Sequence, residues 1–158
     1  MDTTPLCERL AQALLERHWM MATAESCTGG LIAARCTDLA GSSHWFERGL
    51  VTYSNAAKSE LLDVPETLIE QHGAVSEPVV RAMASGAVRH AHAQVSVAVT
   101  GIAGPAGGSP EKPVGTVWFA WRVGSRLDSE HRVFAGDRAA IREATVQHAL
   151  QGLLNRLN

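Results

Sequence analysis

The sequence predicts a layered α/β domain with a mixed sheet. Strand-like and helix-like segments alternate from the N-terminus to Val99, the pattern of strands joined by crossover helices. A hairpin signal at Gly124-Ser125 then adds an antiparallel pair. The 158 residues are 46% hydrophobic and 19% charged, which supplies a packed core for one domain, residues 1–158, and excludes disorder as a class.

Each element has a local reason. Thr4-Pro5 opens a helix, because proline at the first helical position loses nothing. Leu6, Leu10 and Leu14 then form one apolar stripe. Met20 to Ala24 is short and apolar and reads as a buried strand. Ser26-Cys27-Thr28-Gly29-Gly30 is a turn, and residues 31–39 read as a helix. Residues 49–54 carry β-formers in alternation and predict a second strand. Short helices follow over 55–62 and 65–72, the latter with Pro65 at its start and Gly73 past its end. Ser76 is a suitable N-cap for a helix to about His92, striped by Val79, Val80, Met83, Ala84, Ala87 and Val88. Val95 to Val99 is apolar on both faces, so it is a central strand. A Gly- and Pro-rich loop, residues 100–113, precedes strands at 114–123 and 126–134. Asp137 starts the last helix, with Ile141, Thr145, Ala149 and Leu153 on one side. Trp45 and Phe46 sit in a loop, either as an exposed interface anchor or as core.

Charge narrows the function. Fourteen Lys and Arg against 16 Asp and Glu leave a net charge of -2. That lacks the basic surplus that phosphate neutralisation demands, so no nucleic-acid partner is expected. No apolar run approaches the roughly 20 residues of a membrane span, so no membrane partner is expected. Cys7, Cys27 and Cys36 are an odd set in a chain that folds without staples. Reduced thiols and no visible signal peptide predict a cytoplasmic protein. The seven histidines form no metal set, so neither a metal nor another cofactor is expected.

Three loops concentrate polar groups. The Ser26–Gly30 turn leaves a strand and opens a helix, where unsatisfied N–H groups and the macrodipole favour an oxyanion or a phosphate. Ser26 or Thr28 would equally serve as a plain helix cap, with Gly29 and Gly30 allowing a tight turn. Cys27 is either a nucleophile at a helix start or a small buried filler. In the second loop, Tyr53 ends a strand and Lys58 follows within a helical turn. A lysine in a dry pocket has a lowered pKa and acts as a base, whereas most lysines lie solvated on a helix face. The third loop contains Thr100, Gly101 and Gly104, at the C-terminal end of the central strand where α/β proteins bind ligands. Neither a dinucleotide fingerprint nor a Walker A motif is present. Arg138 and Arg142 share a face of the last helix and would grip a phosphate or sit as a surface pair.

Taken in order, Ala24–Gly30, Gly41–Ser43, Gly49–Asn55 with Lys58, Gly73–Ser76, Val99–Pro105, Lys112–Thr116 and Phe134–Arg138 with Arg142 resemble the CinA C-terminal domain family. Stand-alone members of that family include nicotinamide mononucleotide deamidases. The resemblance implies a three-layer α/β/α sandwich and hydrolysis of nicotinamide mononucleotide to nicotinic acid mononucleotide and ammonia. It implies catalysis by Ser26, Lys58 and Tyr53, as nucleophile, base and relay. Thr28, Gly29, Gly30, Thr100, Gly101, Gly104, Arg138 and Arg142 would bind substrate, with Arg142, joined by Arg138, on its phosphate. It further implies a homodimer or larger homo-oligomer. Longer members carry an added N-terminal domain linked to pyrophosphatase activity, so that activity is not expected of these residues. The same loops would also suit a non-catalytic nucleotide-sensing or interaction module, which has no need of a depressed lysine beside a serine.

Overall fold

The stripe Leu6, Leu10, Leu14 winds into the first helix of the structure, a computed structural model in which residues 2–158 are described. The elements are α1 (Thr4–Arg17), β1 (Met21–Glu25), α2 (Leu31–Thr37), β2 (Phe46–Val51), α3 (Asn55–Leu62), α4 (Glu66–His72), α5 (Glu77–His90), β3 (Val95–Gly101), β4 (Thr116–Val123), β5 (Arg126–Val133) and α6 (Arg138–Leu157). The strands form one sheet in the order β2-β1-β3-β4-β5. β1 pairs in parallel with both β2 and β3, and β3-β4-β5 run antiparallel.

The period-2 alternation of the strands divides the core into two layers. Val95, Val97, Val99, Val117, Phe119 and Trp121 face α1, α2 and α6. Ala24, Ala98 and Ala120 face the other way, onto α5, Leu62 and Ile69. Small side chains on that second face let α5 lie close, and Ser96 Oγ donates to the Ala84 carbonyl at 2.7 Å. On the first face Trp121 Nε1 donates to the Ala149 carbonyl at 2.9 Å, and the ring fills the space left by Gly152. A fully buried leucine such as Leu10 or Leu150 contributes about 1.5–3 kcal/mol relative to exposure. The result is the expected α/β/α sandwich with a mixed sheet.

The strands depart from their expected limits by one to three residues, and pairing explains the shifts of β2 and β3. β2 begins at Phe46 and ends at Val51, rather than spanning 49–54. Its register with β1 runs from Met21↔Phe46 to Glu25↔Val51 and stops where β1 stops. The chain then turns, with Ser54 Oγ capping α3 by accepting from Ala57 N at 3.0 Å. β3 extends to Gly101 because Thr100 and Gly101 still pair with Trp118 and Val117. Trp45 is core, 2% exposed. Among the described residues no helix is long and apolar enough to cross a membrane.

Candidate active site

β1 and β3 are neighbours whose chains part at their C-terminal ends, one into α2 and the other towards β4. Such a divergence leaves a crevice. A cleft of about 210 Å³ opens there, bounded by Ser26 and Cys27 after β1, Tyr53 and Lys58 around the start of α3, and Thr100 and Gly101 at the end of β3.

At its base Lys58 Nζ lies 3.0 Å from Ser26 Oγ. The lysine is 1% exposed. Its other contacts are the main-chain carbonyls of Thr52 at 2.9 Å and Tyr53 at 3.2 Å. None of these partners carries a charge, so no ion pair with them offsets the cost of burying an ammonium. Burial therefore holds Lys58 below the ordinary lysine pKa. A neutral amine has two N–H bonds and one lone pair. With the two carbonyls taking the N–H bonds, the lone pair is left for the Ser26 hydroxyl proton. That is the arrangement of a nucleophile with its base.

The segment Glu25–Gly30 is fixed by a residue that sequence reasoning passed over. Glu25, 1% exposed, accepts from Ile32 N at 2.8 Å, Ala33 N at 3.0 Å and Thr28 Oγ1 at 2.5 Å. Its carboxylate satisfies the first turn of α2 and meets the positive end of that helix. The helix start is thus occupied from within the protein, and the Thr28 hydroxyl is committed to Glu25. The available signal was an acidic residue just ahead of a helix that lacks a side-chain cap. Gly29 and Gly30 turn the chain at φ 58° and 104°, a region that favours glycine.

Cys27 lines the cleft but is a poor nucleophile. Burial pushes its thiol up to about 12, so the thiolate is scarce at neutral pH.

Tyr53 takes part through two different atoms. Its carbonyl holds Lys58, whereas the residue as a whole is 61% exposed. The hydroxyl accepts from Arg138 Nη2 at 3.3 Å at the cleft mouth, and Ser26 and Lys58 meet directly without it. Arg138 also donates to the Gly104 carbonyl at 2.8 Å, spanning from the α3 side to the β3–β4 loop. Arg142 lies deeper. Its guanidinium donates to the carbonyls of Cys27 at 3.2 Å and Thr28 at 2.9 Å, holding the turn that carries Ser26. Arg138 thus lines the cleft, whereas Arg142, Thr28, Gly29 and Gly30 do not. Thr100, 1% exposed, donates to the Ala74 carbonyl at 3.0 Å. Gly101 allows close approach to β4 and Cys27: a Cβ there would stand 2.8 Å from the Val117 side chain and 3.1 Å from Cys27 Sγ. Among the described residues no group of three or more His, Cys, Asp or Glu is gathered as a metal set.

Comparison with known proteins identifies the family. The model of the CinA C-terminal domain family matches residues 3–157. The chain is 57% identical over 151 residues to the nicotinamide-nucleotide amidohydrolase PncC of Pseudomonas putida, covering 96% of this chain and 94% of that protein. It is 54% identical over 149 residues to PncC of Escherichia coli strain K12, covering 94% and 90%. A crystal structure of a CinA superfamily protein from Klebsiella pneumoniae superposes with a TM-score of 0.95 at 38% identity, covering 99% of this chain and 98% of the other.

Proposed function

The chain belongs to the CinA C-terminal domain family, and on that footing we propose that it is a nicotinamide-nucleotide amidohydrolase. Nicotinamide mononucleotide and water give nicotinic acid mononucleotide and ammonia, the activity named for its relatives of 57% and 54% identity. The observation that carries the reading is the 3.0 Å contact between a buried, carboxylate-free Lys58 and Ser26.

Ser26 Oγ attacks the carboxamide carbon while the neutral Lys58 takes the hydroxyl proton. The carbonyl oxygen becomes an oxyanion, and the Cys27 N–H, which donates to no carbonyl among the described residues, is the nearest main-chain donor along the chain. The intermediate collapses, the C–N bond breaks, and Lys58 returns the proton to the departing nitrogen as ammonia. Water then attacks the acyl-serine with Lys58 as base, and the carboxylate leaves as Ser26 regains its proton. Arg138 meets the substrate phosphate at the mouth, releasing the Tyr53 hydroxyl to the ligand. Arg142 supports the nucleophile turn. The protein works in the cytoplasm as a homodimer or larger homo-oligomer.

Purified protein should release ammonia from nicotinamide mononucleotide with a chelator present, and Ser26→Ala should not. No release by folded wild-type protein that still binds the nucleotide would refute the assignment and favour a sensing module. Light scattering checks the oligomeric state.

A further inference from the structure

Two sequence segments, Gly73–Ser76 and Lys112–Thr116, have no part in the chemistry above, yet the structure joins them. Lys112, on the loop between β3 and β4, reaches across to donate from Nζ to the His72 carbonyl at 3.0 Å. Its own position is set by a tight turn, in which Ser109 N donates to the Lys112 carbonyl at 2.9 Å and Lys112 N donates to Ser109 Oγ at 3.1 Å. Gly73 beside it turns the chain at φ 78°, a conformation that favours glycine.

The next two carbonyls are held in the same way. Gly73 O accepts from Ser76 Oγ at 2.8 Å, and Ala74 O accepts from Thr100 Oγ1 at 3.0 Å. Three successive carbonyls are therefore each bound by a side-chain donor. Ala74 and Val75 form the cleft wall that continues from them. Their N–H groups find no acceptor among the described residues. In a trans peptide the N–H points opposite to the carbonyl of the same unit. Fixing the Gly73 and Ala74 carbonyls therefore fixes the Ala74 and Val75 N–H groups. Free donors on a cleft wall would otherwise be satisfied by water, and a substrate oxygen can replace it.

We infer that Lys112 is a positioning residue for substrate binding: by anchoring the His72 end of the turn to the β3–β4 loop, it supports the wall on which Ser76 and Thr100 fix the Ala74 and Val75 N–H groups to donate to a substrate oxygen. The inference rests on the amidohydrolase reading for its substrate. Ser76 and Thr100 hold the two carbonyls nearest the wall, and Lys112 anchors the start of the turn to the opposite loop. Its removal therefore loosens the wall and leaves the Ser26–Lys58 pair in place.

The test is steady-state kinetics of Lys112→Ala and Lys112→Arg on nicotinamide mononucleotide, with nicotinamide riboside as the phosphate-free comparison, used as substrate or as competitor. For Lys112→Ala, KM should rise about fivefold, the scale of one weakened hydrogen bond, while kcat stays within about twofold. Lys112→Arg, which keeps a donor of similar reach, should recover most of the loss. The loss should be equal for the nucleotide and the nucleoside. Unchanged constants, or kcat and kcat/KM falling together, would overturn the inference. So would a loss confined to the nucleotide, because Lys112 would then be a phosphate ligand. If wild-type protein releases no ammonia, the deamidase reading fails instead. The inference is then decided by calorimetric Kd values for the nucleotide with the same variants, where an unchanged Kd overturns it.

Discussion

Replacing Lys58 with methionine separates the two consequences of a buried amine. Methionine is unbranched and of similar length, so the volume is kept and the base is lost. Ser26 would then have no proton acceptor at 3.0 Å. A positioned base is worth about 10²- to 10⁴-fold, so ammonia release should fall by at least about a hundredfold, or about 2.7 kcal/mol. Stability changes in two directions. The Thr52 and Tyr53 carbonyls lose their donor, which costs about 1–3 kcal/mol for each one left unsatisfied. Against that, the penalty for burying an ammonium disappears. Its pH signature identifies it. Lys58 is depressed in the folded protein, so between that depressed value and the ordinary 10.5 the unfolded chain binds the extra proton. Stability must therefore rise with pH across that window, by at most about 1.4 kcal/mol per unit. Activity rises with pH for the same reason, as the amine becomes neutral. Urea denaturation from pH 7 to 10.5, run beside the ammonia assay, should show this rise in the wild type and its loss in Lys58→Met. A variant that keeps turnover within tenfold, or keeps the wild-type pH slope of stability, would refute the base assignment.

The neighbouring residues give further outcomes. Cys27→Ala should keep activity within about tenfold, because a thiol pushed up to about 12 is only about one part in 100,000 thiolate at pH 7; a dead Cys27→Ala beside an active Ser26→Ala reverses the assignment. Hydroxylamine added during turnover should intercept the acyl-serine and yield the hydroxamate of the nucleotide, detected by mass spectrometry, and Ser26→Ala should yield none. Glu25→Gln replaces a carboxylate that accepts three hydrogen bonds and should lower unfolding stability by about 1–3 kcal/mol, as read by denaturant titration.

The course of β1, β3 and α6 was legible from apolar spacing, because burial imposes period 2 on strands and a 3.6-residue stripe on helices. Strand ends were less so. β2 was expected at 49–54 and lies at Phe46–Val51, since its limits follow from the length of β1 beside it, which local propensity does not encode. The Ser26, Tyr53 and Lys58 motif was likewise readable as a set of residue types and spacings.

What the sequence determined alone was therefore the alternation of elements, the family and the residues that carry polar chemistry. Which atom of each residue meets which partner was decided only by tertiary structure. Tyr53 holds Lys58 by its carbonyl and Arg138 by its hydroxyl. Arg142 grips the Ser26–Gly30 turn, and Glu25 fills the start of α2. These contacts join residues far apart in the chain, 114 positions in the case of Arg142 and Thr28. A hydrogen bond depends on distance and angle within a few tenths of an ångström, and only the packed sheet and helices set those.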